Sequence, residues 1–333
     1  VTAPAADLGR ASAGSQKPRL ATYVEPRTTA TLLSEAVQQA KLAEELGYES
    51  IWVSQLANAE DAPTIATAYA CATERVGIGV ALVVIYARHP TSTVQMATTV
   101  DTLSNGRFRL GLGVGHELTV NWMWGLEPGP PTAAMREYVT IVRQTIREGE
   151  ANVEGSSFTA RWKFGSPRRA DLPILIAAMG PRMLELAGEL GDGVLLWMAP
   201  PRYIRECVMP HVRRGREKAG LGMEGFEIQA GLYVSLTSSP DQGRDYVRRM
   251  LSVYSRLPPY RRMLDAGGFA QDLAEKRIRD ATVDELCGIG TEEDVRRAIE
   301  RYREAGCTLP VIAPIPDFDN RVPISTMLEA VRP

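Results

Sequence analysis

Eight short apolar runs, each followed by a helix-patterned stretch, span the 333 residues and predict an α/β fold, a (β/α)8 TIM barrel with insertions. The runs are apolar throughout rather than alternating, as in strands covered on both faces. Eight units also favour closure over an open doubly wound sheet. No linker or compositional shift divides them, and at 44% hydrophobic residues the chain can bury a core of this size.

The elements follow in order. Residues 20–24 form a short strand ending at Glu25-Pro26. Residues 31–46 carry Leu32, Leu33, Ala36, Val37, Ala40, Ala43 and Leu46 on one helix face, and Gly47 stops the run. A strand at 50–53 precedes a helix at 61–72 with Pro63 in its first turn. A strand at 76–84 with a helix at 91–102, then a strand at 107–114 with a helix at 136–147, make the third and fourth units. Residues 151–169 break the rhythm, and the alternation from Phe158 to Phe164 reads as an inserted hairpin. Strands at 173–177 and 193–197 alternate with helices at 182–190 and 202–219. A strand at 227–236 and a helix at 241–256 come next. Residues 257–283, irregular or helical, are a second insertion after unit seven, before a helix at 291–305 and a last strand at 309–313. Residues 1–18, rich in Ala, Ser and Gly and without an apolar h-region, are expected to be a disordered leader, and 19–333 a single barrel domain.

A net charge of -2 gives no reason to expect a nucleic acid or a membrane as partner. No apolar run approaches the roughly 18 residues of a membrane span. Cys71, Cys207, Cys287 and Cys307 are far apart, as reduced cytoplasmic thiols are. His89, His116 and His211 form no metal-ligand spacing, so no metal is expected.

A barrel keeps its chemistry at the carboxyl ends of its strands. Those positions hold Tyr23 and Glu25, Ser54 and Gln55, Ala81 to Tyr86, Gly115 to Glu117, Ala177 to Arg182, Trp197-Met198, Ser235, and Ala313-Pro314. They offer no carboxylate pair, no G-x-S-x-G and no strand-end lysine, against glycosidase, esterase and Schiff-base chemistry. An apolar, aromatic mouth with glycines suits a large planar cofactor that carries the hard chemistry itself. Within T-L-S-N-G-R-F-R-L-G-L-G-V-G-H-E, residues 102–117, the glycines Gly111, Gly113 and Gly115 leave one strand face bare. A flat ligand or another backbone can approach such a face, and bare faces also serve close packing. A dinucleotide fingerprint fails, because His116 stands where its third glycine belongs. In the fifth unit Met179-Gly180-Pro181 leads into a helix with Pro181 first and Arg182 beside it. Free N–H groups there predict a phosphate at residues 180–183, Gly180 to Met183. Trp122, Trp124, Trp162 and Trp197 suggest an aromatic pocket, although core packing uses such residues as readily.

Three ordered motifs carry a resemblance: H-P-T-S-T-V-Q-M-A-T-T-V-D-T-L-S-N-G-R-F-R-L-G-L-G-V-G, P-I-L-I-A-A-M-G-P-R-M-L-E-L-A-G-E-L-G-D-G-V-L-L-W and G-I-G-T-E-E-D-V-R-R-A-I. Over roughly residues 20–314 the chain resembles the luciferase-like oxidoreductases, and most of all their coenzyme F420 (deazaflavin) dependent branch. That branch includes methylene-tetrahydromethanopterin reductase and F420-dependent glucose-6-phosphate dehydrogenase. The resemblance implies a (β/α)8 barrel whose third strand bulges at a non-prolyl cis peptide behind the ring, at Ala81-Leu82 here. It implies ring contacts from Gly115, His116 and Glu117, and phosphate contacts from Ala178, Met179, Gly180, Pro181 and Arg182. Several members end strand two with Ser-Asp-His, where this chain has Ser54-Gln55-Leu56. Gln55 can hydrogen-bond the ring edge in place of the Asp, but Leu56 transfers no proton, which leaves His116, followed by Glu117, as the expected catalytic residues. The implied activity is hydride transfer between F420 and an organic substrate, in the direction of reduction. The alternatives are an FMN-dependent monooxygenase and a flavin-binding protein without turnover. A small-molecule substrate and a homodimer are the expected partners.

Overall fold

The computed structural model describes residues 18–26, 33–315 and 322–333. Residues 1–17 of the expected leader, and positions 31 and 32 of the first expected helix, lie outside the described residues. Eight parallel strands run Ala21–Tyr23, Ser50–Val53, Gly77–Val84, Phe108–Gly113, Ile174–Ala177, Gly193–Trp197, Glu227–Leu236 and Leu309–Pro314. Each pairs with the next, and the eighth pairs back to the first, so the sheet closes. Helices flank the connections as the 3.6-residue spacing predicts. The helix after the fourth strand, Pro131–Glu148, starts five residues before its apolar periodicity does, because Pro131 suits a first turn. No described helix is long and apolar enough to cross a membrane.

Two departures from the eight-unit rhythm shape the molecule. A hairpin, Glu150–Glu154 with Thr159–Lys163, packs beside Pro131–Glu148. Its tip is held by the Glu137 carboxylate, which accepts from the backbone N–H groups of Ser156, Ser157 and Phe158 at 3.0, 2.8 and 2.9 Å. Between the seventh and eighth strands, the helices Pro240–Tyr254, Pro258–Leu264 and Ala270–Ala274 precede a further parallel strand, Cys287–Gly290. That strand pairs with Tyr233 to Leu236, beyond the reach of the sixth strand, whose pairing ends at Gly231. Sequence reading leaves it unassigned, since four residues with two glycines carry no periodicity.

Inside the barrel, Ala21, Trp52, Leu175, Leu195, Leu309 and Val311 form one apolar cluster, with Tyr23, Ala81, Leu82 and Ala177 packed against it. The end of the barrel opposite the site is closed by charge. Arg19 and Arg109 each bridge Glu49 and Glu227, with Arg109 at 2.8 Å from both carboxylates and Arg19 at 2.6 Å from Glu227. Arg107 plugs the adjacent seam and donates to the carbonyls of Ser104, Val76, Thr73 and Ala70 and to Thr73 Oγ1 at 2.6–3.2 Å.

Candidate active site

At the carboxyl ends of the strands, the third strand is irregular. Its register against the fourth slips between Val80 and Val83, and the peptide joining Ala81 to Leu82 is cis. The bulge turns the Leu82 side chain onto Gly113, where an added Cβ would lie 2.4 Å from Leu82 Cδ2. A Cβ on Gly111 would meet the Val80 carbonyl oxygen at 2.1 Å and Leu195 at 2.7 Å, and one on Gly115 would press on Val84 and Val120. Of the expected uses of this face, approach of a flat ligand or of another backbone and close packing, the structure shows the latter two: the protein's own neighbours fill it. These glycines let the third and fourth strands crowd together, and the surface left at the mouth is the bulge itself.

After Gly115, whose φ of 71° is one that L side chains rarely adopt, the chain turns outward at His116. The imidazole is half-buried, with ring centroids 5.6 Å from Tyr260 and 6.2 Å from Tyr254, both carried by the segment between the seventh and eighth strands. Burial pulls its pKa below the ordinary histidine value, so at neutral pH the ring is uncharged. Glu117 is exposed at the head of a π-helical turn, Leu118–Met123, rather than facing the aromatic rings. Gln55 is half-buried. Its Oε1 accepts from Ala62 N–H at 3.0 Å and its Nε2 donates to the Leu56 carbonyl at 3.2 Å. Much of its hydrogen-bonding capacity therefore goes to the start of the helix Ala62–Ala72.

Beyond the fifth strand, Gly180 caps the helix Pro181–Leu190, and no side chain occupies the cap. A Cβ on Gly180 would meet nothing within 4 Å, so the approach to the helix N-terminus is open. Arg182 is exposed there and forms no ion pair among the described residues. Ala178 and Met183 are buried beneath the turn. Tyr203, from the segment after the sixth strand, donates its hydroxyl proton to the Met179 carbonyl at 2.5 Å and fixes the turn from behind.

The remaining wall is aromatic. Tyr23 and Trp197 meet edge-on at 5.6 Å, Trp197 and Tyr233 at 5.0 Å, and Tyr233 and Tyr246 at 5.5 Å, while Tyr254 and Tyr260 tilt together at 4.7 Å. Glu25 Oε1 accepts from Ser54 N–H at 2.9 Å and ties the first strand exit to the second. Of the four tryptophans expected to line a pocket, Trp197 does so. Trp122 is 79% exposed, and Trp162 lies on the hairpin, donating to Thr145 Oγ1 at 3.3 Å. Sequence reading misses Tyr203, Tyr246, Tyr254 and Tyr260. The signal for the last three is the tyrosine recurrence from 246 to 260, whose placement depends on how the insertion folds back.

The site thus offers a bulged backbone on one side, an open helix N-terminus, and an aromatic wall opposite. The chain is 29% identical over 289 residues, 80% of its length and 86% of the relative's, to 5,10-methylenetetrahydromethanopterin reductase of Archaeoglobus fulgidus. Its fold is that of the coenzyme F420 dependent tetrahydromethanopterin reductase of Methanopyrus kandleri, with a TM-score of 0.76 at 22% identity, covering 95% of this chain and 97% of the other. It is also that of an F420-dependent secondary alcohol dehydrogenase bound to an F420-acetone adduct, with a TM-score of 0.79 at 21% identity, covering 96% and 100%. The family profile described as luciferase-like monooxygenase matches residues 19–309, and the chain belongs to that family.

Proposed function

We propose that this protein is a coenzyme F420-dependent oxidoreductase that passes a hydride between the deazaflavin and a small organic substrate, working as a reductase. The bulge of the third strand between Val80 and Val83 carries this reading. It presents a backbone surface at the mouth, beside the strand-four exit at Gly115 and His116, on which a flat tricyclic ring can rest. The residues fit the rest of the group: the open Gly180 cradle, the uncapped N–H groups of Pro181–Leu190 and the unpaired Arg182 suit a phosphate. Ala178, Met179, Gly180, Pro181, Arg182 and Met183 would hold that end, and Ala81, Leu82, Gly115 and Gln55 the ring. When bound, a reduced deazaflavin supplies the hydride. The protein aligns donor and acceptor and manages the proton, and we assign that second task to the face of the ring near His116 and Glu117.

The reading extends to assembly. The helices Ala62–Ala72 and Pro90–Leu103 lie side by side, and their outward residues Thr64, Thr67, Ala68, Ser92, Gln95 and Thr99 carry no charge. A second copy packing on this face would make a homodimer. The four free thiols fit a reducing cytoplasm.

Parallel titrations of the purified protein with F420 and FMN test the assignment. Binding of F420 at least tenfold tighter than FMN, about 1.4 kcal/mol, is expected. Equal or tighter FMN binding refutes it. A monomer in sedimentation analysis at micromolar concentration refutes the dimer.

A further inference from the structure

The second strand exit reads Ser54-Gln55-Leu56, and neither Gln55 nor Leu56 is an acid, so a reduced substrate needs its proton from elsewhere. Tyr260 lies in the helix Pro258–Leu264, is 5% exposed, and its hydroxyl makes no hydrogen bond among the described residues. Its ring packs on Tyr254 at 4.7 Å and on His116 at 5.6 Å, and its hydroxyl lies within electrostatic reach of Tyr23 at the strand-one exit. The insertion thus carries this side chain over the mouth, between the first and fourth strand exits. The hydroxyl is not among the polar atoms sealed from solvent, so a ligand oxygen placed at the mouth can accept its proton. Two neighbouring hydroxyls are already engaged: Tyr203 holds the Met179 carbonyl and Tyr69 donates to the Val24 carbonyl at 3.0 Å.

We propose that Tyr260 is the residue that hydrogen-bonds and protonates the substrate, and that the substrate is a planar carbonyl compound. This rests on the hydride-transfer reading above. The hydride from the reduced deazaflavin forms a C–H bond at the carbonyl carbon, the C=O π pair moves to oxygen, and the Tyr260 O–H proton passes to that oxygen. The resulting phenolate regains a proton from water through His116, whose ring packs against it at 5.6 Å. The transfer runs downhill, because an alkoxide is a far stronger base than a phenolate. Burial holds the Tyr260 phenol protonated well above its ordinary range. The flat aromatic surfaces of Tyr23, Trp197 and Tyr254 fit a conjugated substrate.

The test uses the full chain with F420 and 4-dimethylaminocinnamaldehyde, a planar aldehyde whose absorption moves to longer wavelength when its oxygen accepts a strong hydrogen bond. The F420-loaded parent is expected to shift that band, and Tyr260→Phe to abolish the shift while binding F420 within twofold of the parent. Turnover of the aldehyde with reduced F420 is expected to fall about a hundredfold in Tyr260→Phe, the usual scale for a general acid. Tyr254→Phe is expected to keep the shift, and equal thermal midpoints of the parent and Tyr260→Phe establish that the fold is intact. An unshifted aldehyde in a parent that binds F420, or the same shift and rate in Tyr260→Phe, overturns the proposal. Failure of the parent to bind F420 at all overturns the cofactor assignment instead.

Discussion

Two glycines on the same face of the fourth strand should fail in different ways when each is given a methyl group. At Gly111 the new Cβ would sit 2.1 Å from the Val80 carbonyl oxygen, more than an ångström inside ordinary contact, and 2.7 Å from Leu195. The first obstacle is backbone in the pairing between the third and fourth strands, so it cannot swing aside. Overpacking of this kind costs typically 1–3 kcal/mol, and with the backbone as the immovable partner the upper end, about 3 kcal/mol, is expected for Gly111→Ala. At Gly113 the Cβ meets the tip of Leu82 at 2.4 Å, a flexible side chain that can give way. Gly113→Ala should therefore cost about 1 kcal/mol in stability but push Leu82 and the bulge that carries it, weakening F420 binding about tenfold, or 1.4 kcal/mol. Urea unfolding gives the first quantity and a cofactor titration the second. A Gly111→Ala variant as stable as the parent would mean that the neighbours do not fill the glycine face. A Gly113→Ala variant with parental affinity would mean that the ring does not rest on the bulge.

Three further outcomes follow. Gly180→Val meets open space and should leave stability within about 0.5 kcal/mol, while Arg182→Ala should weaken F420 binding by roughly 1–3 kcal/mol, more at low salt than at high; parental affinity in both would move the phosphate elsewhere. His116 has its pKa lowered by burial, so below the unfolded value of about 6.5 the unfolded chain takes up the proton first and folding stability falls with pH. The stability advantage of the parent over His116→Gln should therefore shrink from pH 7.5 toward pH 5, and a proton NMR titration placing His116 at or above the ordinary value would contradict the burial. Arg107→Ala leaves the carbonyls of Ala70, Thr73, Val76 and Ser104 without their donor and should destabilise by about 3 kcal/mol in urea unfolding, with cofactor affinity unchanged because the residue lies at the opposite end of the barrel.

The sequence by itself determined the eight-fold alternation and the hairpin near Phe158, because period 2 and period 3.6 are local properties. The position of the cis peptide was implied by the family resemblance, carried to this chain by counting back from Arg88-His89-Pro90. The helix start after the fifth strand was legible for the same reason as the alternation: Gly180, Pro181 and Arg182 are consecutive, and a helix start is written in adjacent residues. Tertiary structure alone decided what stands opposite. Whether Gly111 and Gly113 face a ligand or Leu195 and Leu82 depends on closure of the sheet and on the bulge in a neighbouring strand. The strand Cys287–Gly290 exists because the seventh strand extends past the sixth and leaves an edge to pair. The contact of His116 with Tyr254 and Tyr260 joins a strand exit to a segment far along the chain, and no periodicity in either encodes it. Side chains that meet only through packing carry no local mark, because the free energy that joins them comes from excluding water between surfaces and is indifferent to their separation in sequence.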